Sequence, residues 1–523
     1  MIHRVSVLDT TLRDGAQREG ISLSVKDKLS VAHKLDELGI AYIEGGWPGS
    51  NPKDDEFFAK AKGIAWRQAR LVAFGSTRKA HVSVAEDGGL RALVEAGTST
   101  VAIVGKSSRK HVLQVLSTTC DENLRMITDT IAYLHTAGRE VLFDAEHFFD
   151  GYKLDQDYAL ETLKAAVDAG ADYLVLCDTN GGSLPHEISQ IVKAVCSALP
   201  QAAIGIHAHN DSGVAVANTL MAVLAGVNHV QGTMNGYGER CGNADLCTVI
   251  PNLELKLGCS ALDDGRLPML TEAAHYISEI ANLIPDEHAP YVGVSAFAHK
   301  AGLHVSALRK AGDSYQHVAP ELVGNRMRIL VSELAGRRNI AAKLSELDLA
   351  TEATPEEERA LIQQLKHKES RGFQYEGADG SFELLVRRSR PGYKAPFEVL
   401  DFLVLVEKRV DKDILAEATV KARVGESIIH TAAEGHGPVN ALDTAMRKAL
   451  LHFYPELQSI HLTDYKVRII DQKSASAALT RVLIDASDGE RTWTTVGCSE
   501  NIIEASFQAL IDSLELPLLR RPS

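Results

Sequence analysis

The chain has 523 residues, 45% of them apolar and 24% charged, with a formal net charge of −14; this length exceeds one comfortable core and predicts a large domain followed by smaller ones, and the composition excludes a disordered or fibrous chain. The negative field repels phosphate backbones and anionic lipid, no basic run offsets it, and no apolar run approaches the roughly 18 residues of a spanning helix, so nucleic-acid and membrane roles drop out. Seven cysteines, odd in number and nowhere spaced C-x-x-C, exclude a disulfide framework and a thiolate zinc site; with Met1-Ile2-His3-Arg4 running straight into a strand, a reduced, cytoplasmic setting is expected.

In chain order, VSVLD (5–9) reads as the first strand, and Val25 to Leu38 as the first helix, with Leu29, Ala32, Leu35 and Leu38 on one face. YIEGG (42–46), RLVAFG (70–75), TVAIVG (100–105) and EVLFDAE (140–146) follow as strands. A helix over Tyr158 to Ala169 precedes DYLVLCD (172–178), AIGIHAH (203–209) and HVQGTMN (229–235). Near-continuous apolar strands imply burial on both faces and hence a parallel sheet, and eight βα units in about 250 residues predict an α/β fold of the closed (β/α)8 TIM-barrel type over 1–263. An open doubly wound sheet is the alternative, but the first βα junction, DTTLRDGAQREG, has no G-x-G-x-x-G.

Residues 264–395 read as a helical connector, with helices over Leu270 to Leu283, His299 to Arg309, Arg326 to Leu347, and Pro355 to Leu365 behind a Thr354 cap. The mixture of glycine, charge and proline in 371–395 reads as a boundary. Residues 396–523 contain a repeat: GESIIHTAAEGHGPVNALDTAMRKAL (425–450) and GERTWTTVGCSENIIEASFQAL (489–510) share Gly-Glu, a Thr six residues later and a closing Ala-Leu, with a four-residue gap around His436 to Val439. Two strand-like runs precede each half, FLVLVEK and AEATVKARV, then YKVRIID and ALTRVLIDA, so a C-terminal α+β domain of two βββα units is predicted.

Loops leaving the C-terminal ends of barrel strands build active sites, and the polar residues here gather at those ends. Strand 1 ends in Asp9, Arg13 and Asp14; strand 2 in Glu44; strand 5 in Asp144, Glu146 and His147; strand 6 in Asp178, Thr179 and Asn180; strand 7 in His207, His209, Asn210 and Asp211; strand 8 in Asn235, Glu239, Arg240 and Asn243. The period of two in His207-Ala208-His209 puts both imidazoles on one side of a strand, which suits a metal, though two histidines bonded to backbone fit as well. Asp14 and the Asn243 amide can add oxygen donors from strands 1 and 8, both expected to adjoin strand 7; such an N2O2 set suits Mn, Mg or Zn with open positions. Cys241 reads as a small packing residue. Arg13 beside Asp14 is either a surface ion pair or a guanidinium that stabilises charge on a substrate oxygen. Glu146 is either a buried, hydrogen-bonded carboxylate or a catalytic one, and Thr179 either caps the Gly181-Gly182-Ser183 turn or binds a substrate carboxylate.

LDTTLRDGAQREG, IEGGWPGSNPKD, CDTNGG, HAHND and NGYGERCGNAD together resemble the metal-dependent Claisen-type acyl-CoA condensing enzymes, the family of the 2-isopropylmalate, homocitrate and citramalate synthases. AFAHKAGLHVSAL, with Tyr315 eleven residues beyond His304, is similar to their connecting subdomain, and IEGGWPGSNPKD and EHFFDGY are most similar to the citramalate branch. The resemblance implies that Asp14, His207, His209 and Asn243 hold the divalent metal, that Arg13 polarises a keto oxygen, that Thr179 binds the keto-acid carboxylate, and that Glu146, His304 and Tyr315 serve acetyl-CoA, with His304 as the base. It implies condensation of acetyl-CoA with a 2-oxo acid, pyruvate in that branch, at the start of a threonine-independent isoleucine route. It further implies a tail that forms a homodimer and binds an amino-acid effector, isoleucine. Synthesis of 2-isopropylmalate or homocitrate from a larger 2-oxo acid, an acyl-CoA lyase like hydroxymethylglutaryl-CoA lyase, and a non-enzymatic amino-acid sensor are the alternatives. One departure is Asp144, where some citramalate synthases carry an aromatic residue.

Overall fold

The computed structural model describes residues 3–263, 265–299, 314–329, 344, 349, 355–375, 377–408, 414–470 and 478–520. Strands β1 (Ser6–Asp9), β2 (Tyr42–Gly46), β3 (Arg70–Ser76), β4 (Thr100–Lys106), β5 (Glu140–Glu146), β6 (Tyr173–Asp178), β7 (Ile204–Ala208) and β8 (His229–Gly232) pair in sequential order, all parallel, and β8 closes onto β1 from Ser6↔His229 to Asp9↔Gly232. The expected TIM barrel is therefore present. Its strands read as continuous apolar runs because alternate residues are buried on opposite faces. Leu8, Tyr42, Val72, Phe74, Ala102 and Leu142 fill the barrel, while their neighbours Val7, Ile43, Ala73, Val101 and Phe143 pack under the helices.

Ten helices alternate with or follow these strands: α1 (Val25–Leu38), α2 (Pro52–Ala61), α3 (Gly88–Ala96), α4 (Arg109–Gln114), α5 (Cys120–Thr136), α6 (Phe148–Leu154), α7 (Gln156–Asp168), α8 (Pro185–Ala198), α9 (Ala215–Leu224) and α10 (Leu246–Leu255). Local chemistry sets their ends. Ser24 and Asp27 form a capping box at the start of α1, and Gly39, at φ 95°, takes the left-handed turn that stops it. Among the described residues no helix is long and apolar enough to cross a membrane.

The chain divides into two compact units, residues 1–297 with 316–327, and 298–315 with 328–523. Helix α11 (Leu270–Ile280) belongs to the first and is shorter than predicted, because Asn282 adopts φ 54° two residues past its end. In the second, Ala298–His299 (β9) and Arg328–Ile329 (β10) pair in parallel where the sequence predicted the starts of two helices. A pairing between segments thirty residues apart overrides local helical periodicity there; beyond Leu344, which is helical, the remainder of those helices and the Thr354 cap lie outside the described residues. Helix α12 (Pro355–Ser370) follows, then α13 (Asp379–Arg388), which lies inside the stretch read as a boundary and buries Phe382, Leu384 and Val386.

The tail contains two three-stranded antiparallel sheets, β11 (Glu398–Lys408), β12 (Ile414–Val424) and β13 (Ser427–Gly435), then β14 (His461–Ile469), β15 (Thr480–Ser487) and β16 (Thr492–Ser499), each followed by a helix, α14 (Pro438–Leu450) and α15 (Ile502–Leu519). The duplication is visible in its bonds. Thr431 Oγ1 donates to the Ala445 carbonyl at 2.9 Å, and Thr495 Oγ1 to the Ala509 carbonyl at 2.8 Å. These pairs, and the helix starts Pro438 and Ile502, all stand 64 residues apart, so the two halves correspond without the expected four-residue gap. The closing Ala-Leu suggested a gap because Ala449 lies one helical turn beyond Ala445, the true counterpart of Ala509.

Candidate active site

The barrel brings three predicted ligands together. His207 Nε2 lies 3.2 Å from Asp14 Oδ2 and 3.3 Å from His209 Nε2, and one ligand atom from each residue lies within 4.8 Å of the others. All three residues are buried. Strand β8 stands between β1 and β7, so Asp14 and His207 are not on neighbouring strands as expected; Asp14 reaches across from the loop after β1. Burial opposes the charge on Asp14, but the Arg13 guanidinium and His207 outweigh it and hold its carboxyl well below the usual range. Burial, then the charge of His207, pushes His209 down to about 4, which favours a neutral imidazole with a lone pair to give.

Asn243 faces His209 across an isolated antiparallel bridge. Its amide Nδ2 donates to the Tyr237 carbonyl at 3.1 Å, which leaves Oδ1 buried with no partner. Two imidazole nitrogens and a carboxylate gathered in a buried site fit a divalent cation, and a buried orphan oxygen on the residue bridged to His209 is a donor of the type that would complete the set. Cys241 is exposed rather than packed, and it borders a separate cavity of about 360 Å3 that Asn243 also lines.

The surface-pair reading of Arg13 fails. Its Nε donates to Glu44 Oε2 at 2.7 Å, and Glu44 is fully buried in the middle of β2. Its guanidinium carbon lies 3.9 Å from the centre of the Phe74 ring, against which Trp47 stands edge-on at 5.1 Å. The terminal nitrogens make no hydrogen bond among the described residues, one of them lying 3.6 Å from Asp14, so they are placed to donate to a guest. Burial raises Glu44 to about 7 even with Arg13 beside it.

Arg13, Asp14, Glu146, Thr179, His207 and His209 line one cavity of about 520 Å3 at the C-terminal ends of the strands. Glu146 pairs with Lys106. Thr179 is no helix cap, since α8 begins beyond it at Pro185; its Oγ1 accepts the His147 backbone N–H at 2.8 Å and keeps its own O–H to donate. His147 sits at φ 57°, its ring centre 3.8 Å from that of His111 at a 33° tilt, and burial depresses it to about 4. His304 lies outside the described residues. Tyr315 is exposed in the second unit.

Sequence reading missed Gln231 and Lys106. His207 Nδ1 lies 2.9 Å from Gln231 Oε1, and Gln231 Nε2 donates to Asp144 Oδ1 at 3.0 Å. The available signal was a polar side chain at an inward position of β8, in register with His207. Burial raises Asp144 to about 6.

A family model described as HMGL-like matches residues 4–274, one described as homocitrate synthase post-HMGL domain-like matches 291–372, and one described as LeuA allosteric (dimerisation) domain matches 376–517. The chain is 53% identical to an (R)-citramalate synthase of Synechocystis sp., covering 98% of this chain and 95% of that one. It is 51% identical to an (R)-citramalate synthase of Aquifex aeolicus over 99% of both chains. A third, from Geobacter sulfurreducens, is 51% identical over 98% of this chain and 97% of its own length.

Proposed function

The chain belongs to the HMGL-like family, and from that premise we propose that it acts as an (R)-citramalate synthase, condensing acetyl-CoA with pyruvate and hydrolysing the thioester to citramalate and CoA. The observation that carries this reading is identity of 51–53% to enzymes of that name along almost the whole chain, barrel and tail together.

Asp14, His207, His209 and Asn243 would hold a divalent cation, Mn, Mg or Zn, whose Lewis acidity would make the keto carbon of a 2-oxo acid electrophilic. The terminal nitrogens of Arg13 stabilise the negative charge that develops on the keto oxygen. The Thr179 hydroxyl donates to the carboxylate and fixes which face is attacked. The thioester methyl is a weak acid, so a positioned base must take its proton; His304 has that role, and Glu146 and Tyr315 serve the acetyl-CoA with it. The carbon freed of its proton bonds to the keto carbon, the keto oxygen takes up a proton, and water then cleaves the thioester, releasing the CoA thiol.

The test is to supply acetyl-CoA with pyruvate, 2-oxoisovalerate or 2-oxoglutarate and to follow free CoA thiol. Pyruvate should give the highest kcat/KM. One methylene in an apolar pocket discriminates by about 1–3 kcal/mol, so preference for a larger acid would move the assignment to 2-isopropylmalate or homocitrate synthesis. Cleavage of hydroxymethylglutaryl-CoA with no condensation would make it a lyase. A homodimer formed through the tail, an isoleucine effector, a cytoplasmic location and a place at the start of a threonine-independent isoleucine route complete the reading.

A further inference from the structure

A histidine can offer a lone pair at Nε2 only if its proton sits on Nδ1, and the group facing Nδ1 decides which tautomer is held. For His207 that group is the side-chain amide of Gln231, 2.9 Å away and directly opposite it on the neighbouring strand. An amide is ambiguous, since its oxygen would accept from Nδ1–H and hold the useful tautomer, whereas its NH2 would donate to a bare Nδ1 and drive the proton to Nε2. Asp144 removes the ambiguity. Its carboxylate accepts from Gln231 Nε2 at 3.0 Å, and an ionised carboxylate can only accept, so the amide must turn its NH2 to Asp144 and its oxygen to His207. Asp144, Gln231 and His207 are all buried, so water is poorly placed to stand in for any of the three.

We infer that Gln231 is a positioning residue for the metal centre: oriented by Asp144, it holds the proton of His207 on Nδ1 and keeps the Nε2 lone pair aimed at the point shared with Asp14 and His209. This rests on the metal reading given above. It also assigns a use to the acidic residue that stands where some citramalate synthases carry an aromatic. Asp144 is two residues away from Glu146 along β5, and the amide links it by hydrogen bonds to His207.

The experiment measures Mn2+ affinity of the full-length, metal-stripped protein at pH 8 by competition with a fluorescent chelator, alongside the melting temperature without metal. Q231M has no acceptor for Nδ1–H and should bind Mn2+ about 10- to 100-fold more weakly, the usual effect of losing a partner behind a ligating histidine; it also takes the donor from the buried Asp144 carboxylate, so its metal-free melting temperature should fall as well. Q231E alone sets two buried carboxylates against each other and should also lose affinity. The D144N/Q231E pair reverses donor and acceptor between the two positions while still accepting from His207, and should bind within about threefold of the original protein. Mn2+ binding by Q231M as tight as that of the unaltered chain would overturn the inference. If Q231M fails to fold, the pair decides, and a loss equal to that of Q231E alone would overturn it. Failure of the unaltered protein to bind Mn2+, or equal binding by H207A, would instead remove the metal reading itself.

Discussion

Replacing Arg13 by Met separates a structural debt from a chemical one. Glu44 is fully buried, its Oε1 has no partner, and its Oε2 accepts only from Arg13 Nε at 2.7 Å. R13M keeps an apolar stem against Phe74 but strands that carboxylate, and breaking a buried pair in this way costs about 3–5 kcal/mol. The cost should depend on pH. Glu44 stands at about 7, above its ordinary 4.5, and without the guanidinium it rises further. A carboxyl that binds its proton more tightly folded than unfolded loses stability as pH rises from about 4.5 towards the folded value, so the R13M deficit is smaller at pH 5.5 than at pH 8. Adding E44Q removes the stranded charge and should recover most of the stability. Turnover should not follow, because the lost donors to the keto oxygen account for a drop of about 10²- to 10³-fold in kcat. Urea unfolding at both pH values and CoA-thiol release from acetyl-CoA and pyruvate read the two effects. Recovery of turnover in R13M/E44Q would reduce Arg13 to a structural counter-ion, and an R13M stability equal to that of the parent would refute the buried-pair reasoning.

Glu122 accepts the His81 backbone N–H at 2.9 Å and Arg78 at 2.8 Å, and these bonds push it down to about 2. Its contribution is complete above its ordinary value and vanishes as pH falls to the folded one, so E122Q should cost about 2 kcal/mol at pH 7, with the gap to the parent closing between pH 4.5 and 2 in urea titrations; a gap indifferent to pH would contradict this. Treatment with excess EDTA should abolish CoA release from acetyl-CoA and pyruvate, and Mn2+ should restore it; full turnover in chelator ends the metal reading. A Cβ on Gly497 would lie 1.9 Å from the Ala505 carbonyl oxygen, where α15 rests on β16, so G497A should destabilise the tail by about 1–3 kcal/mol in denaturant titration, and an unchanged midpoint would show that the helix can step back.

The barrel was legible because each of its strands is buried on both sides, which leaves a mark in every run; β2 and β7 have no residue that is not buried. The donor types of the site were legible too, as polar residues gathered after those runs. Their neighbours were not. Gln231 and Asp144 lie 87 positions apart, and an uncharged amide in an apolar strand carries no local sign of what it faces. That β8 separates Asp14 from His207 follows only from closure of the sheet. Helix α13 was hidden because Gly380 and the charges of Arg387 and Arg388 dilute an apolar stripe that only packing reveals. Pairing of two-residue strands such as β9 and β10 has no periodicity to detect.

The 64-residue correspondence within the tail also records where twins have parted. At one matched position the first copy has Lys448, whose ammonium donates to the Ala432 carbonyl inside its own half. The second has Asp512, which takes the Ser381 hydroxyl at 2.6 Å and Arg388 at 2.7 Å. One further turn, present in α15 and absent from α14, adds Glu515 to the same arginine. A change of sign and a longer helix have made a fastener of one sibling: it clasps the segment ahead of the tail, while the other spends the matching side chain on its own sheet.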